Sequence, residues 1–143
     1  MTLKNTQQET LQLTNEQTTM AHTRLIDECV ALLSYQHEEP LRWPFTLTDL
    51  IEVASMAYVS DMIVDDEGNN CTFILLVKSL CTCFGLRVPR NPWCYLQRIH
   101  MRKNMRSRAF FDRYCWLMYK MGQSHPLLLS VHLPTGLCTS AFE

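Results

Sequence analysis

Glycine and proline are scarce, four and six among 143 residues. So few turn-makers argue against an all-β fold built on many tight turns. They also exclude collagen-like and low-complexity chains. Four scattered glycines cannot build a glycine-rich phosphate loop, and no His-Glu-x-x-His pattern is present. No Ser or Cys carries the local signature of an activated nucleophile. No run of about 18 uncharged apolar residues occurs, so no transmembrane helix is expected. The start, Met1 to Gln8, is polar and lacks the apolar core of a signal peptide. These absences set the first expectations. The protein is cytoplasmic and not an enzyme, with no cofactor, no metal, no small-molecule substrate and no membrane partner.

Apolar residues make up 47% of the chain, enough for a core without disulfides or a metal staple. The seven cysteines are an odd number and read as reduced thiols acting as small apolar side chains. Cys81-Thr82-Cys83 is the one close pair, and its spacing is too short for the usual zinc half-site. Asp65-Asp66-Glu67 is contiguous, whereas a calcium loop places its ligands at alternate positions. That trio reads as a solvated turn ending in Gly68-Asn69-Asn70.

Hydrophobic periodicity and capping residues predict a small all-α bundle of about five helices. Residues 1–13 form a flexible polar arm, too poor in apolar groups to offset ordering entropy. Residues 14–122 form one helical domain. Its first helix, about 15–36, starts at a capping box in Thr14-Asn15-Glu16-Gln17 and turns Ala21, Leu25, Ile26, Cys29, Val30 and Leu33 inward. Thr46 or Thr48 caps the second, whose inner face is Leu50, Ile51, Ala54, Ala57 and Tyr58. The acidic turn is a plain interhelical loop or, alternatively, a short hairpin. Asn70 caps a third helix, about 71–84, which Gly85 closes. Asn91-Pro92 starts a fourth, about 92–103. A fifth, about 107–121, has Ser107 as its cap and Phe110, Tyr114, Leu117, Met118 and Met121 as its apolar face. Residues 123–143 are an apolar tail without sustained period, lying along the core.

A net charge of −1 hides a division of the chain into an acidic and a basic half. Residues 1–70 carry −9 and residues 71–143 carry +8, with +6 concentrated in the 24 residues from Gln97 to Lys120. Tyr95, Arg98 and Arg102 fall at i, i+3 and i+7, one stripe of the fourth helix, while Leu96 and Ile99 point to the core with Trp93 beside them. An Arg/Tyr stripe behind a supporting helix gives a helix-turn-helix-like C-terminal half suited to the major groove of double-stranded DNA. On that reading Tyr95, Arg98 and Arg102 meet base edges, and Lys103, Arg106 and Arg108 hold phosphates. A homodimer would match a two-fold site.

Several short blocks share their order with one known family. They are Leu41-Arg42-Trp43, Asp49-Leu50-Ile51-Glu52, Glu67-Gly68-Asn69-Asn70, Leu80 to Leu86, Trp93 to Lys103, and Arg106 to Asp112. Over about residues 41–121 the chain resembles RteC-type regulators of Bacteroides conjugative transposons. The resemblance implies a DNA-binding regulatory or accessory protein of a mobile genetic element. The second reading is a non-catalytic protein-interaction module. Its basic face would pair with its own acidic half, at Asp49, Glu52 or the 61–67 turn, or with an acidic partner protein. Leu127, Leu128, Leu129, Val131 and Leu133 would then form an exposed docking element or dimer seam.

Overall fold

A computed structural model describes residues 12–34, 40–102 and 109–131, the last three of the middle segment by their helical backbone alone. Among the described residues there are six helices and no strand. The helices are α1 (Asn15–Ser34), α2 (Leu47–Ser60), α3 (Phe73–Cys83), α4 (Pro92–Arg102), α5 (Phe110–Tyr119) and α6 (Pro126–Ser130). The all-α bundle follows the sequence expectation. The sixth helix lies in the segment expected to be an aperiodic tail, where three consecutive leucines after a proline make one short turn.

Side-chain caps fix most helix starts. Thr14 and Gln17 exchange bonds across the first turn of α1, at 3.0 and 3.1 Å. Thr46 and Asp49 do the same for α2, at 3.1 and 3.3 Å. The cap of α3 is Thr72 rather than Asn70, its hydroxyl accepting from the Leu75 N–H at 3.1 Å. Asn70 instead closes the acidic turn, forming a single antiparallel bridge with Val64. The turn is therefore tighter than a plain loop but too short for a hairpin of true strands. Asp65 Oδ1 accepts from the N–H groups of Glu67 and Asn69, both at 2.9 Å, so this carboxylate serves its own backbone.

Gly85 ends α3 at φ +65°, with the Gly85 N–H donating to Thr82 O and the Leu86 N–H to Cys81 O. A side chain there would also lie 3.0 Å from Pro40, because the connector before α2 passes close by and donates the Leu41 N–H to Cys83 O. That connector carries Trp43 and Phe45 into an aromatic cluster. The Trp43 ring lies 4.9 Å from Phe84, and the Phe45 ring lies 5.1 Å from Phe110. The indole N–H donates to Thr46 O, which leaves no bare polar edge on the ring.

The bundle is organised around α2. It packs against α1, α3, α4 and α5, and every residue from Asp49 to Ala54 is buried. A helix buried on all sides must be apolar all round or find partners for its polar groups, and α2 does both. The arrangement corrects the helix-turn-helix-like expectation: α3 and α4 pack mainly on α2, and they meet each other where Phe73 lies 4.4 Å from Trp93. Inward faces also shift in phase. Val30, Tyr58 and Met121 are exposed, while Ala31, Leu32 and Cys115 take core positions.

Helix α5 has no cap of its own. Its N-cap residue is Ala109, and Ser107 lies outside the described residues. The first N–H groups, of Phe110 and Phe111, instead donate to the two carboxylate oxygens of Glu52 on α2, each at 2.9 Å. The negative charge also meets the positive end of the helix dipole. Glu52→Ala should leave both donors unpaired in a buried place and lower unfolding stability by about 3 kcal/mol. Glu52→Gln, which keeps one acceptor, should lose less. Urea unfolding followed by circular dichroism measures both.

Candidate interaction surface

Three carboxylates of the acidic half are buried, Glu28 on α1 and Asp49 and Glu52 on α2. All three are used inside the fold. Asp49 pairs with Arg113 of α5 at 2.5 Å. Glu28 accepts from the Tyr114 hydroxyl on one oxygen and from the Leu128 N–H on the other, the latter at 2.8 Å. Glu28 thus caps α6, whose own N-cap residue His125 makes no side-chain cap bond. Burial lifts the Glu28 carboxyl from 4.5 to about 7, against the pull of the Tyr114 hydroxyl, the Leu128 N–H and the Arg24 charge. Burial also raises Glu52, opposed by the Phe111 and Phe110 N–H groups. The Tyr114 phenol is pushed far up by burial and the adjacent carboxylate, so it is a neutral donor at any ordinary pH. These groups are perturbed, yet each is held against a backbone amide or a ring in the core, where no substrate reaches. Arg24 reaches past them to the carbonyl of Ser124, and the Tyr119 hydroxyl donates to Gln17 O at 2.7 Å.

The thiols follow the same pattern. Cys29, Cys81 and Cys115 are buried, and burial pushes Cys115 up to about 11 and Cys29 further. They are protonated, small apolar core residues. No three His, Cys, Asp or Glu side chains among the described residues are grouped to hold a metal ion. No described helix is long and apolar enough to cross a membrane.

Of the residues expected to form a basic reading face, two are described in full. Arg98 is exposed on α4, with its guanidinium 4.9 Å from the centre of the Tyr95 ring. Tyr95 itself is half-buried and packs against the core. Arg102 is placed by its backbone in α4, and Lys103, Arg106 and Arg108 lie outside the described residues. The basic half meets the acidic half at Asp49, one of the positions named for it, but through Arg113 of α5 rather than the α4 stripe, and Glu52 is taken by backbone amides. The proposed apolar docking tail is corrected too. Leu127, Leu128 and Val131 are buried, leaving Leu129 exposed, and Leu133 lies outside the described residues.

The surface that stands out is aromatic. Trp93, expected beside the core, is half exposed on the outer side of α4. At 100° per residue it lies about 100 and 120° from the buried Pro92 and Ile99 but only about 60° from the half-buried Leu96, on the flank of the inward face. Its ring touches Phe73, which lies 6.2 Å from Tyr58 at the end of α2. Phe73 itself is buried, and in the chain after Tyr58 the side chains of Val59, Met62 and Val64 are exposed, at 70, 57 and 53%. Open apolar side chains of this size make this end of the bundle the candidate for a contact surface. Trp, Tyr, Met and Arg are also the residue types enriched at protein–protein contacts.

No family model matches the chain, and neither a curated protein nor a solved structure matches it. That result overturns the RteC-type assignment and the labels that came with it, namely DNA binding, helix-turn-helix, transcription regulation, conjugative transposon and mobile element. The shared blocks are short and degenerate. A basic outer face on an amphipathic helix arises in unrelated bundles because exposed positions favour long charged side chains.

The Glu28 carboxyl gives a pH dependence of defined sign. The unfolded chain releases this proton near 4.5 and the folded chain near 7, so between these values the folded state binds more protons. Stability from this group is therefore full below 4.5 and is lost as pH rises through 7. Glu52 is displaced in the same direction and adds to the fall. The melting temperature should drop from pH 5 to pH 8, and Glu28→Gln should flatten that drop while keeping an acceptor for Leu128. A scan of thermal unfolding against pH checks both.

Proposed function

We propose that this protein is a non-catalytic helical interaction module that binds a partner protein through the outer face of α4. The observation that carries this reading is the exposure of both Trp93 and Arg98 on the outward half of α4, with Arg98 stacked on Tyr95. A half-open indole offers a large apolar area at low entropic cost, and the stacked guanidinium is pre-oriented to receive a carboxylate. The internal use of Glu28, Asp49 and Glu52 supports it further: the perturbed ionisable groups are spent on structure, while the outward groups are of contact type. Arg98 calls for an acidic group on the partner.

Gln97 is exposed one turn beyond Trp93 and next to Arg98 on the outward side of α4, and it is the position for a photo-crosslinking residue in cells. The expected outcome is one recurring protein adduct that disappears in Trp93→Ala and Arg98→Glu, with unchanged circular dichroism. Adducts to nucleic acid in place of protein, or protein adducts indifferent to both substitutions, would sink the reading.

A further inference from the structure

Helix α6 packs against α1 and α5 and is only five residues long. Pro126, Leu127 and Leu128 are buried, as is Val131 just after it. Two polar contacts fix this segment to α1. Arg24 donates to the carbonyl of Ser124, and Glu28 accepts from the Leu128 N–H at 2.8 Å. The other Glu28 oxygen takes the Tyr114 hydroxyl of α5, so one carboxyl joins α1, α5 and α6. The connector from α5 is exposed at Met121, Gly122 and Ser124. Gly122 turns it at φ +70°, with nothing within 4 Å of the place a Cβ would take. A glycine in open space can change its angles at little cost and serves as a hinge. A short element with few buried side chains and an open connector is among the first to leave a folded body.

We propose that α6 is a pH-gated latch: it stays closed while Glu28 is neutral and opens more readily, with α1 to α5 still folded, once Glu28 ionises. The neutral carboxyl suits a dry site and still offers an oxygen to Leu128. The ionised one brings a charge to a place where its bonded partners, a phenol and an amide, carry none, and where the Arg24 guanidinium is spent on Ser124. Opening lets water reach the carboxylate. The closed latch therefore keeps the proton up to about 7, and the open one only to the ordinary 4.5. Burial pushes the neighbouring Tyr114 on α5 and Cys29 on α1 far up, so neither ionises near neutrality. His125, the residue before α6, is lowered by burial and by Arg24, so its protonation loosens the latch only on the acid side of 6.5, with the opposite sign. Release uncovers the inner faces of Leu127, Leu128 and Val131, and the stripe of α1 that Glu28 shares with Leu25 and Leu32.

Amide hydrogen exchange of the full chain, read by NMR and divided by the intrinsic rate at each pH, follows the latch directly. The Leu128, Leu129 and Val131 amides should be less protected than those of Val53 and Ala54 in α2 at both pH 6 and pH 8, because α6 opens without the bundle. Their protection should fall about tenfold from pH 6 to pH 8. In Glu28→Gln, which keeps an acceptor for Leu128 and has no proton to lose in this range, that fall should vanish. Equal protection in α6 and α2 would mean that α6 leaves only when the whole bundle unfolds, and overturns the proposal. Protection in α6 that does not change from pH 6 to pH 8, or a fall that persists in Glu28→Gln, overturns it as well. Should the substituted chain fail to fold, the comparison of α6 with α2 and the pH step in the wild-type chain still decide.

Discussion

The bundle depends on carboxylates that one helix lends to another. Helix α5 starts at an alanine and α6 at a histidine that makes no side-chain cap bond, so neither start is capped locally. The unpaired N–H groups at a buried helix start are costly. Glu52 reaches the start of α5 from α2, and Glu28 reaches the start of α6 from α1. Each glutamate is itself expensive to bury as an anion. Each is tolerable because it collects backbone N–H donors and, for Glu28, a phenol. The carboxylates and the helix starts are thus mutually dependent, and removing either leaves the other stranded in a dry site.

This dependence explains how the charge division of the chain is resolved. The acidic half and the basic half do neutralise one another in part, among the described residues through the ion pair of Asp49 with Arg113. The other two buried carboxylates meet backbone amides, which carry no formal charge. A tally of Lys and Arg against Asp and Glu therefore misjudges where the attraction lies. It counts Glu28 and Glu52 as anions in search of cations, whereas helix N-termini meet their needs. Arg98 is left outside and stacks on an aromatic ring.

What could be read from the sequence was what is local. The box at Thr14, the start at Asn91-Pro92 and the glycine close at Gly85 span a few residues each and stand where pattern and capping chemistry place them, and of the two candidates Thr46 and Thr48 it is Thr46 that caps α2. The long-range capping could not be read this way. Glu52 and Phe110 are 58 residues apart, and Glu28 and Leu128 are 100 apart. Glu28 did leave a trace, since it sits on the apolar stripe between Leu25 and Leu32, where an unpartnered carboxylate has no place. Asn70 lost the cap of α3 because Thr72 is nearer the first turn and Asn70 is drawn into the bridge with Val64. The basic stripe of α4 was correct in its spacing for Arg98 and Tyr95. The role given to it came from short shared blocks, and these do not amount to a family.

The exposed apolar end of the bundle is the other face of the same design. Helix α2 is enclosed from Asp49 to Ala54, where α1, α3, α4 and α5 gather around it, and it is enclosed there because its carboxylates hold the start of α5 in place. Towards its end Phe73 lies beside Tyr58 and Trp93 beside Phe73, and the chain leaves through a left-handed Asp61 at φ 57° into the acidic turn. The fold therefore spends its acidic groups inside and leaves Tyr58, Val59, Met62 and Trp93 uncovered at one end, the reverse of the usual division between core and surface. A more polar end would be more soluble and would leave the Glu28 and Glu52 contacts unchanged, so the stability of the bundle does not explain the exposed side chains. The proposed contact with another protein surface accounts for them.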